Sequence, residues 1–153
     1  MPESVLTPQG VIAWAAAQGC SCQQNPSFPG QLLLNNIKGT SIPVRMAFLA
    51  DRGLVWLQIE LVEVVPQARH GAIREAVTRL NSTLFLGAWS FLSSSGKLIF
   101  KVTLPTQDVV YGPRSLESVL QLMIGTVQQT ARRLGAVAFQ GGEPSSVIPK
   151  NAG

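Results

Sequence analysis

Charged side chains are scarce in this sequence. The 153-residue chain carries 12 Lys or Arg and 8 Asp or Glu residues, 13% of its positions, against about 25% in an ordinary soluble domain. Hydrophobic residues make up 46% of the chain, far more than a disordered chain contains, so the low charge does not indicate disorder. We therefore expect a folded protein with part of its surface short of charge.

Long hydrophobic runs are also missing. No stretch reaches the roughly 18 apolar residues of a membrane-spanning helix, because Gln58, Glu60 and Glu63 interrupt the most hydrophobic segment. The first four residues lack the basic start and apolar core of a signal peptide. These absences predict a soluble cytoplasmic protein with no membrane segment, and a chain of this length can bury one core unaided.

Metal ligands are few, since the chain has two cysteines, Cys20 and Cys22, and one histidine, His70. Structural zinc needs four ligands, so it is not predicted. A three-ligand site built from these residues stays arithmetically open. Two reduced thiols in a loop are the simpler interpretation, and we expect neither a metal nor a cofactor.

Catalytic motifs are absent as well. His70 could pair only with a loop serine such as those at positions 93–95, and no G-x-S-x-G elbow presents a nucleophile. Glu60 and Glu63 are three residues apart in a predicted strand and so project to opposite faces. The pair Gly141-Gly142 lacks the strand and helix of a phosphate loop. The sequence therefore predicts that the protein is not an enzyme.

The small charge that is present is basic, with a net charge of +4 and a pI near 9.6. Residues 1–68 carry three basic and four acidic side chains, and the rest of the chain carries nine and four. Arg74 and Arg79 fall on opposite flanks of a predicted helix, and no nucleic-acid-binding motif accompanies them. A solvated basic surface is favoured over nucleic-acid binding.

The first half of the chain predicts a helix and two or three strands. Thr7 and Pro8 are start signals and Gly19 is a stop signal for a short helix. Residues 20–31 have the composition of a loop, and residues 32–34 could form a brief strand. Alternating apolar residues predict strands over 42–48 and 54–65, with Pro43 favouring an edge position for the first.

The second half predicts a helix over 67–81, a hairpin of strands 87–92 and 98–104, and a long helix over 115–134, with Ser115 as N-cap and Gly135 as terminator. The order α-β-β(-β)-α-β-β-α is typical of an α+β fold in which an antiparallel sheet carries helices mainly on one face. We predict a single domain over 1–135 and a Gly/Ser/Pro-rich tail over 136–153 that is mobile at its end.

The long helix has an unusual outer face. A stripe of apolar residues, including Leu116, Leu120 and Met123, predicts a buried side. The opposite side carries no charge between Glu117 and Arg132, where an exposed helix normally alternates Glu and Lys. Its residues form the candidate interaction surface: Ser118, Gln121, Leu122, Gly125, Gln128 and Gln129.

The segment from Val65-Pro66 to Leu134 resembles the YbjN-like family, described as bacterial sensory transduction regulators, and related cyanobacterial and plastid proteins of unknown function. The resemblance rests on Val65-Pro66, Leu80-Asn81, the hairpin opening Gly87-Ala88-Trp89-Ser90-Phe91, its return over 98–105 and the long helix. It implies a fold like that of type III secretion chaperones, which dimerise and bind an extended client segment. Many of those chaperones are acidic, whereas this chain is basic.

Two functions from different classes follow. The first is a noncatalytic protein-interaction module, chaperone-like or regulatory, that forms a homodimer and binds an unknown protein partner. The second is a sensory module that holds a small apolar ligand between sheet and helices, lined by Trp14, Trp56, Trp89 and Phe91, although aromatic residues more often simply fill a core. A basic nucleic-acid-binding domain is a third, less favoured hypothesis.

Overall fold

The computed structural model of the protein describes residues 3–149. Its helices and strands alternate in groups, as the sequence predicts for an α+β fold. They are α1 (Pro8–Gln18), β1 (Ser21–Gln24), β2 (Gln31–Asn35), β3 (Val44–Leu49), β4 (Leu54–Glu60), α2 (His70–Asn81), β5 (Ala88–Leu92), β6 (Lys97–Pro105) and α3 (Pro113–Phe139).

The six strands belong to one antiparallel sheet with the order β1-β2-β3-β4-β6-β5. Contacts within the chain divide it into two compact units. Unit 1 comprises residues 3–59 and 102–122, and unit 2 comprises residues 60–101 and 123–149.

Helix α1 in unit 1 begins and ends where its sequence signals predict. The Thr7 hydroxyl accepts a hydrogen bond from the Gly10 backbone N–H at 3.0 Å, which satisfies one of the free donors of the first turn. Gly19 ends the helix with φ +74°, a left-handed conformation that glycine adopts without a Cβ penalty. The helix buries Val11, Trp14 and Ala15.

Strands β2, β3 and β4 of unit 1 alternate between a buried and a more exposed face. On the buried face, Leu32 lies opposite Met46, which lies opposite Leu57, and all three are at most 3% exposed. On the other face, Leu33 lies opposite Arg45. The period of two in the sequence thus determines which side chains enter the core.

Unit 2 is built around Trp89 of β5, which is 2% exposed. Its indole ring meets the Phe100 ring edge to face, with centroids 5.4 Å apart. Its Nε1–H donates to the Thr130 hydroxyl at 2.8 Å, and that hydroxyl donates to the Thr126 carbonyl oxygen. Four residues of α2 also enter the core of this unit: Ile73, Ala76, Val77 and Leu80.

The side chain of Asn81 holds the end of α2 to strand β5. Its Nδ2 donates to the Trp89 carbonyl oxygen at 2.9 Å, and its Oδ1 accepts from the Trp89 backbone N–H at 2.8 Å. Asn81 is therefore a structural residue that supplies both hydrogen bonds a neighbouring strand would supply at this point of β5.

The C-terminal part of α3 is held by Arg69, which lies just before α2. The Arg69 guanidinium donates to the carbonyl oxygens of Val137 at 2.9 Å and Gly142 at 2.7 Å. These are carbonyl groups at and beyond the helix end, which lack partners within the helix. A short helical turn, Pro144–Val147, follows and buries Val147 completely.

Several predicted boundaries differ from the structure. Residues Ser21–Gln24 form strand β1, whereas the polar composition of residues 20–31 predicts a loop. The prediction of an edge strand at Pro43 is wrong, because β3 lies between β2 and β4 and begins after the proline. Strand β4 ends at Glu60 rather than at residue 65.

Helix α3 is longer than predicted at both ends. It begins before Ser115 and continues past Gly135. The packing of Val137 and Ala138, each at most 1% exposed, outweighs the helix-breaking tendency of Gly135. The predicted tail therefore begins inside α3, and its residues 136–149 belong to unit 2. Residues 150–153 of that tail lie outside the described part.

Candidate functional site

All six residues of the predicted interaction surface lie exposed on α3. Ser118, Gln121 and Leu122 belong to unit 1, and Gly125, Gln128 and Gln129 belong to unit 2. Leu122 is 60% exposed. The spacings of three and four residues place the six on one face of the helix, which we call the α3 outer face.

Opposite charges flank the α3 outer face. At its N-terminal end, Glu117 forms an ion pair with Lys38 of unit 1. At its C-terminal end, Arg132 is exposed and forms no ion pair among residues 3–149. In unit 2, Gly125, Gln128, Gln129, Arg132 and Arg133 line a shallow depression of about 490 Å³. The face is thus neutral along its middle, with the Glu117–Lys38 ion pair at one end and Arg132, which pairs with no acidic side chain among the described residues, at the other.

A groove of about 540 Å³ lies on unit 1, beside the edge strand β1. The exposed sides of three paired strands contribute to it, because Gln23 of β1 lies opposite Leu33 of β2, and Leu33 lies opposite Arg45 of β3. Trp56 of β4, which is half-buried, also lines it. We call this the β1–β4 groove; its complete lining is Gln23, Gln24, Asn25, Pro26, Gln31, Leu32, Leu33, Arg45, Met46 and Trp56.

The loop between β1 and β2 forms one rim of the β1–β4 groove and is fixed by its own hydrogen bonds. Asn25 Oδ1 accepts from the backbone N–H groups of Ser27 and Phe28 at 2.9 and 3.3 Å. Asn25 Nδ2 donates to Gln31 Oε1 at 3.1 Å, and Gln24 Nε2 donates to the Pro29 carbonyl oxygen at 2.8 Å. This is the behaviour expected of Asn in a tight turn, and it gives the groove a defined edge.

Unit 2 also has a hollow of about 600 Å³, and His70, Ser93, Ser94 and Ser95 are among the residues that line it. The guanidinium of Arg74 lies over the Phe91 ring at 5.6 Å, and His70 meets the same ring edge to face. His70 Nε2 is 3.0 Å from the Val65 carbonyl oxygen. No Asp or Glu belongs to the residues that line this hollow.

Cys20 and Cys22 are both reduced and half-buried. Burial raises the pKa of the Cys22 thiol, and the neighbouring Cys20 raises it further, so the thiolate that binds metals or attacks electrophiles is disfavoured. Within residues 3–149, no three His, Cys, Asp or Glu side chains cluster closely enough to hold a metal ion.

The four aromatic residues proposed as a ligand lining have separate environments. In unit 1, Trp14 is buried and its Nε1 has no hydrogen-bond partner within the described chain, whereas Trp56 lines the β1–β4 groove. In unit 2, Trp89 fills the core and Phe91 contacts His70 and Arg74. The sequence pattern did not single out Leu33 and Arg45, which join Trp56 in the groove, although their alternation with buried residues marks them as outward-facing.

Between residues 3 and 149, none of the helices has both the length and the apolar character that crossing a bilayer requires.

These elements define an α+β protein with a six-stranded antiparallel sheet. Its fold is similar to the crystal structure of YbjN from E. coli, described as a proposed transcription regulator, with a TM-score of 0.65, 12% sequence identity, and coverage of 91% of this chain and 97% of that chain. The predicted resemblance to YbjN-like proteins is confirmed at the level of the fold. The sequence matches no protein-family model and no curated protein.

Proposed function

We propose that the protein is a noncatalytic interaction module, chaperone-like or regulatory, that forms a homodimer through the α3 outer face. The supporting observation is the 60% exposure of Leu122 on a helix face without charge from Ser118 to Gln129. Covering this face with another chain would remove the apolar Leu122 side chain from water, which favours association.

The neutral middle of the α3 outer face suits a second copy of this chain as the occupant. Two molecules of net charge +4 repel each other, so they approach best through a neutral surface. An antiparallel pairing of two α3 helices brings Glu117 of one copy toward Arg132 of the other. A parallel pairing would place like charges together, and two-fold symmetry permits either arrangement, so the flanking charges favour the antiparallel one.

Gly125 and the glutamines suit such a pairing. Outside the adjacent residues and backbone of its own helix, a Cβ at Gly125 would meet no atom within 4 Å among the described residues, so the glycine leaves room for a second helix to approach closely. The amide groups of Gln121, Gln128 and Gln129 can each donate and accept hydrogen bonds across a two-fold axis.

The description of YbjN as a proposed transcription regulator supports a regulatory role for this chain as well.

Replacing Leu122 with Glu tests the dimer. We expect the dissociation constant to rise at least about 30-fold, because an unpaired carboxylate would be buried at the centre of the interface. The stability of the monomer should change by less than about 0.5 kcal/mol, since the site is exposed on the isolated chain. Sedimentation equilibrium over a range of concentrations measures the first quantity, and urea unfolding at low concentration measures the second.

Thr78→Glu is the matched control, because it adds the same charge at an exposed position of another helix, α2. It should leave the dissociation constant unchanged. A wild-type chain that remains a 16.4 kDa monomer at tens of micromolar would refute the homodimer. Equal effects of the two substitutions would show that α3 is not the interface.

Exchanging the flanking charges tests the orientation of the two helices. Arg132→Glu and Glu117→Arg should each weaken self-association several-fold, because each places like charges together in an antiparallel pair. The double variant restores an opposite pair across the interface with the signs exchanged, so it should recover the part of the loss that comes from charges on the two α3 helices. It does not restore the ion pair between Glu117 and Lys38 within each chain. Sedimentation equilibrium at low salt provides the comparison, and a double variant weaker than either single variant would contradict the antiparallel arrangement.

A further inference from the structure

We infer that the β1–β4 groove of unit 1 binds a small organic carboxylate that has a flat apolar body. This ligand is different in kind from the second protein copy proposed for the α3 outer face. The inference rests on the side chains that the strand register brings to one surface and on the charge that this surface leaves unopposed.

Strand register places a charged, an apolar and an amide side chain in one row. Gln23, Leu33 and Arg45 lie directly opposite one another on three adjacent strands, and such neighbours have Cβ atoms about 5 Å apart. Trp56 lies opposite Ala47 and is therefore a diagonal neighbour of Arg45 on the same face. The row and the indole together form a surface the size of a small aromatic molecule.

Arg45 supplies the specificity for an anion. It is exposed, and among residues 3–149 it forms no ion pair with an acidic side chain. None of the described residues that line the groove is Asp or Glu, so the lining places no carboxylate beside this positive charge. A guanidinium presents parallel N–H donors that match the two oxygens of a carboxylate, and such charge-assisted pairs are about twice as strong as neutral hydrogen bonds.

Leu33 and Trp56 supply the contact for an apolar body. Binding sites for small molecules combine apolar surface with polar groups that fix the orientation of the ligand, and the ten residues that line the groove are half apolar and half polar. The side-chain amides of Gln23 and Gln31 stand at its exposed margin and can bond to polar atoms on the ligand.

The groove is already formed in the structure. The hydrogen bonds of Asn25 and Gln24 fix the loop at its rim, and β2 and β3 below it are paired on both edges. A site that needs no rearrangement loses little free energy to ordering on binding. The carboxylate could belong to a free small acid or to the C-terminus of a peptide, and binding measurements distinguish these sources.

Isothermal titration calorimetry with two probes of the same shape tests the inference. We expect 2-naphthoate to bind and the uncharged 2-naphthamide to bind at least about 10-fold more weakly, because only the first pairs with Arg45. N-acetyl-Gly-Trp with a free carboxylate, compared with its C-terminal amide, represents a peptide terminus. Tighter binding of 2-naphthoate than of this peptide assigns a free acid, and the reverse order assigns a chain terminus.

Arg45→Gln should weaken 2-naphthoate about 10- to 100-fold and remove the preference for the charged probe. Arg45→Lys keeps the charge without the planar fork and should give an intermediate loss. Arg52→Gln, at an exposed arginine outside the groove lining, is the matched control and should bind as the wild type does. Equal binding of the acid and the amide, unchanged binding by Arg45→Gln, or no binding of either carboxylate at millimolar concentration would overturn the inference.

Discussion

Trp89→Ala should destabilise the protein by about 3–5 kcal/mol, the range measured for removal of a buried aromatic side chain. The loss combines the apolar burial of the indole, its edge-to-face contact with Phe100 and its hydrogen bond to Thr130. A typical domain has a total stability of only about 5–15 kcal/mol, so this variant should lie close to unfolding at room temperature. Urea unfolding followed by far-UV circular dichroism measures the effect without depending on tryptophan fluorescence.

The hydrogen bond within that cluster can be measured separately. Thr130→Val keeps the shape of the side chain but leaves the Trp89 Nε1–H buried without an acceptor, and should cost about 1–3 kcal/mol. Trp89→Phe combined with Thr130→Val should lower the free energy of unfolding by less than the sum of the two single changes. Once Trp89 is replaced, Thr130→Val no longer leaves a buried N–H without an acceptor.

Trp14 offers a natural comparison, since it is also buried but its Nε1 has no partner among the described residues. Trp14→Phe removes an unsatisfied donor as well as ring volume, so it should be milder than Trp89→Phe by roughly 1 kcal/mol or more.

If Trp89→Ala cost less than about 1.5 kcal/mol, the cluster of Trp89, Phe100 and Thr130 would not be the centre of unit 2.

Local sequence signals were sufficient to predict an element where one short stretch of chain determines its conformation. Thr7, Pro8 and Gly19 specify α1 through a hydrogen bond, a fixed φ and a left-handed φ, which all act within one or two turns. The hairpin of β5 and β6 was predicted for the same reason, because a turn at 93–96 separates two runs of alternating residues.

Elements that depend on distant partners were not predictable in this way. Strand β1 is polar and exposed at three of its four positions, and it is a strand because β2 supplies its hydrogen bonds. Pro43 suggested an edge, but it precedes β3 and therefore leaves the ladder of a central strand intact. In α3, the tertiary burial of Val137 continues the helix past Gly135.

The two candidate sites also differ in whether neighbours along the sequence or distant partners bring their residues together. The α3 outer face lies on a single helix, so residue spacing alone predicts that Leu122 and its neighbours share a surface. The β1–β4 groove gathers residues from three paired strands and Trp56 from a fourth, and only the strand register shows that they share a surface. The low charge of the chain is visible on both surfaces. The α3 outer face carries no charged side chain, and the lining of the β1–β4 groove carries one, Arg45.

Gly96→Ala should destabilise unit 2 by about 2–4 kcal/mol, because two penalties coincide at this turn. Gly96 has φ +71°, a conformation that costs an L-residue about 1–2 kcal/mol, and a Cβ there would lie 2.8 Å from Val64 Cγ1 and 3.3 Å from the Val65 carbonyl oxygen. The Val65 N–H donates to the Gly96 carbonyl oxygen at 2.8 Å, so relief of the crowding would also weaken the bond that joins the hairpin to this segment. Gly19→Ala is the control, since Gly19 has φ +74° and open space around its Cβ position, and it should show the conformational cost alone. Equal losses of unfolding free energy for the two variants in urea would mean that the segment at Val64 moves aside without cost and does not stabilise the hairpin.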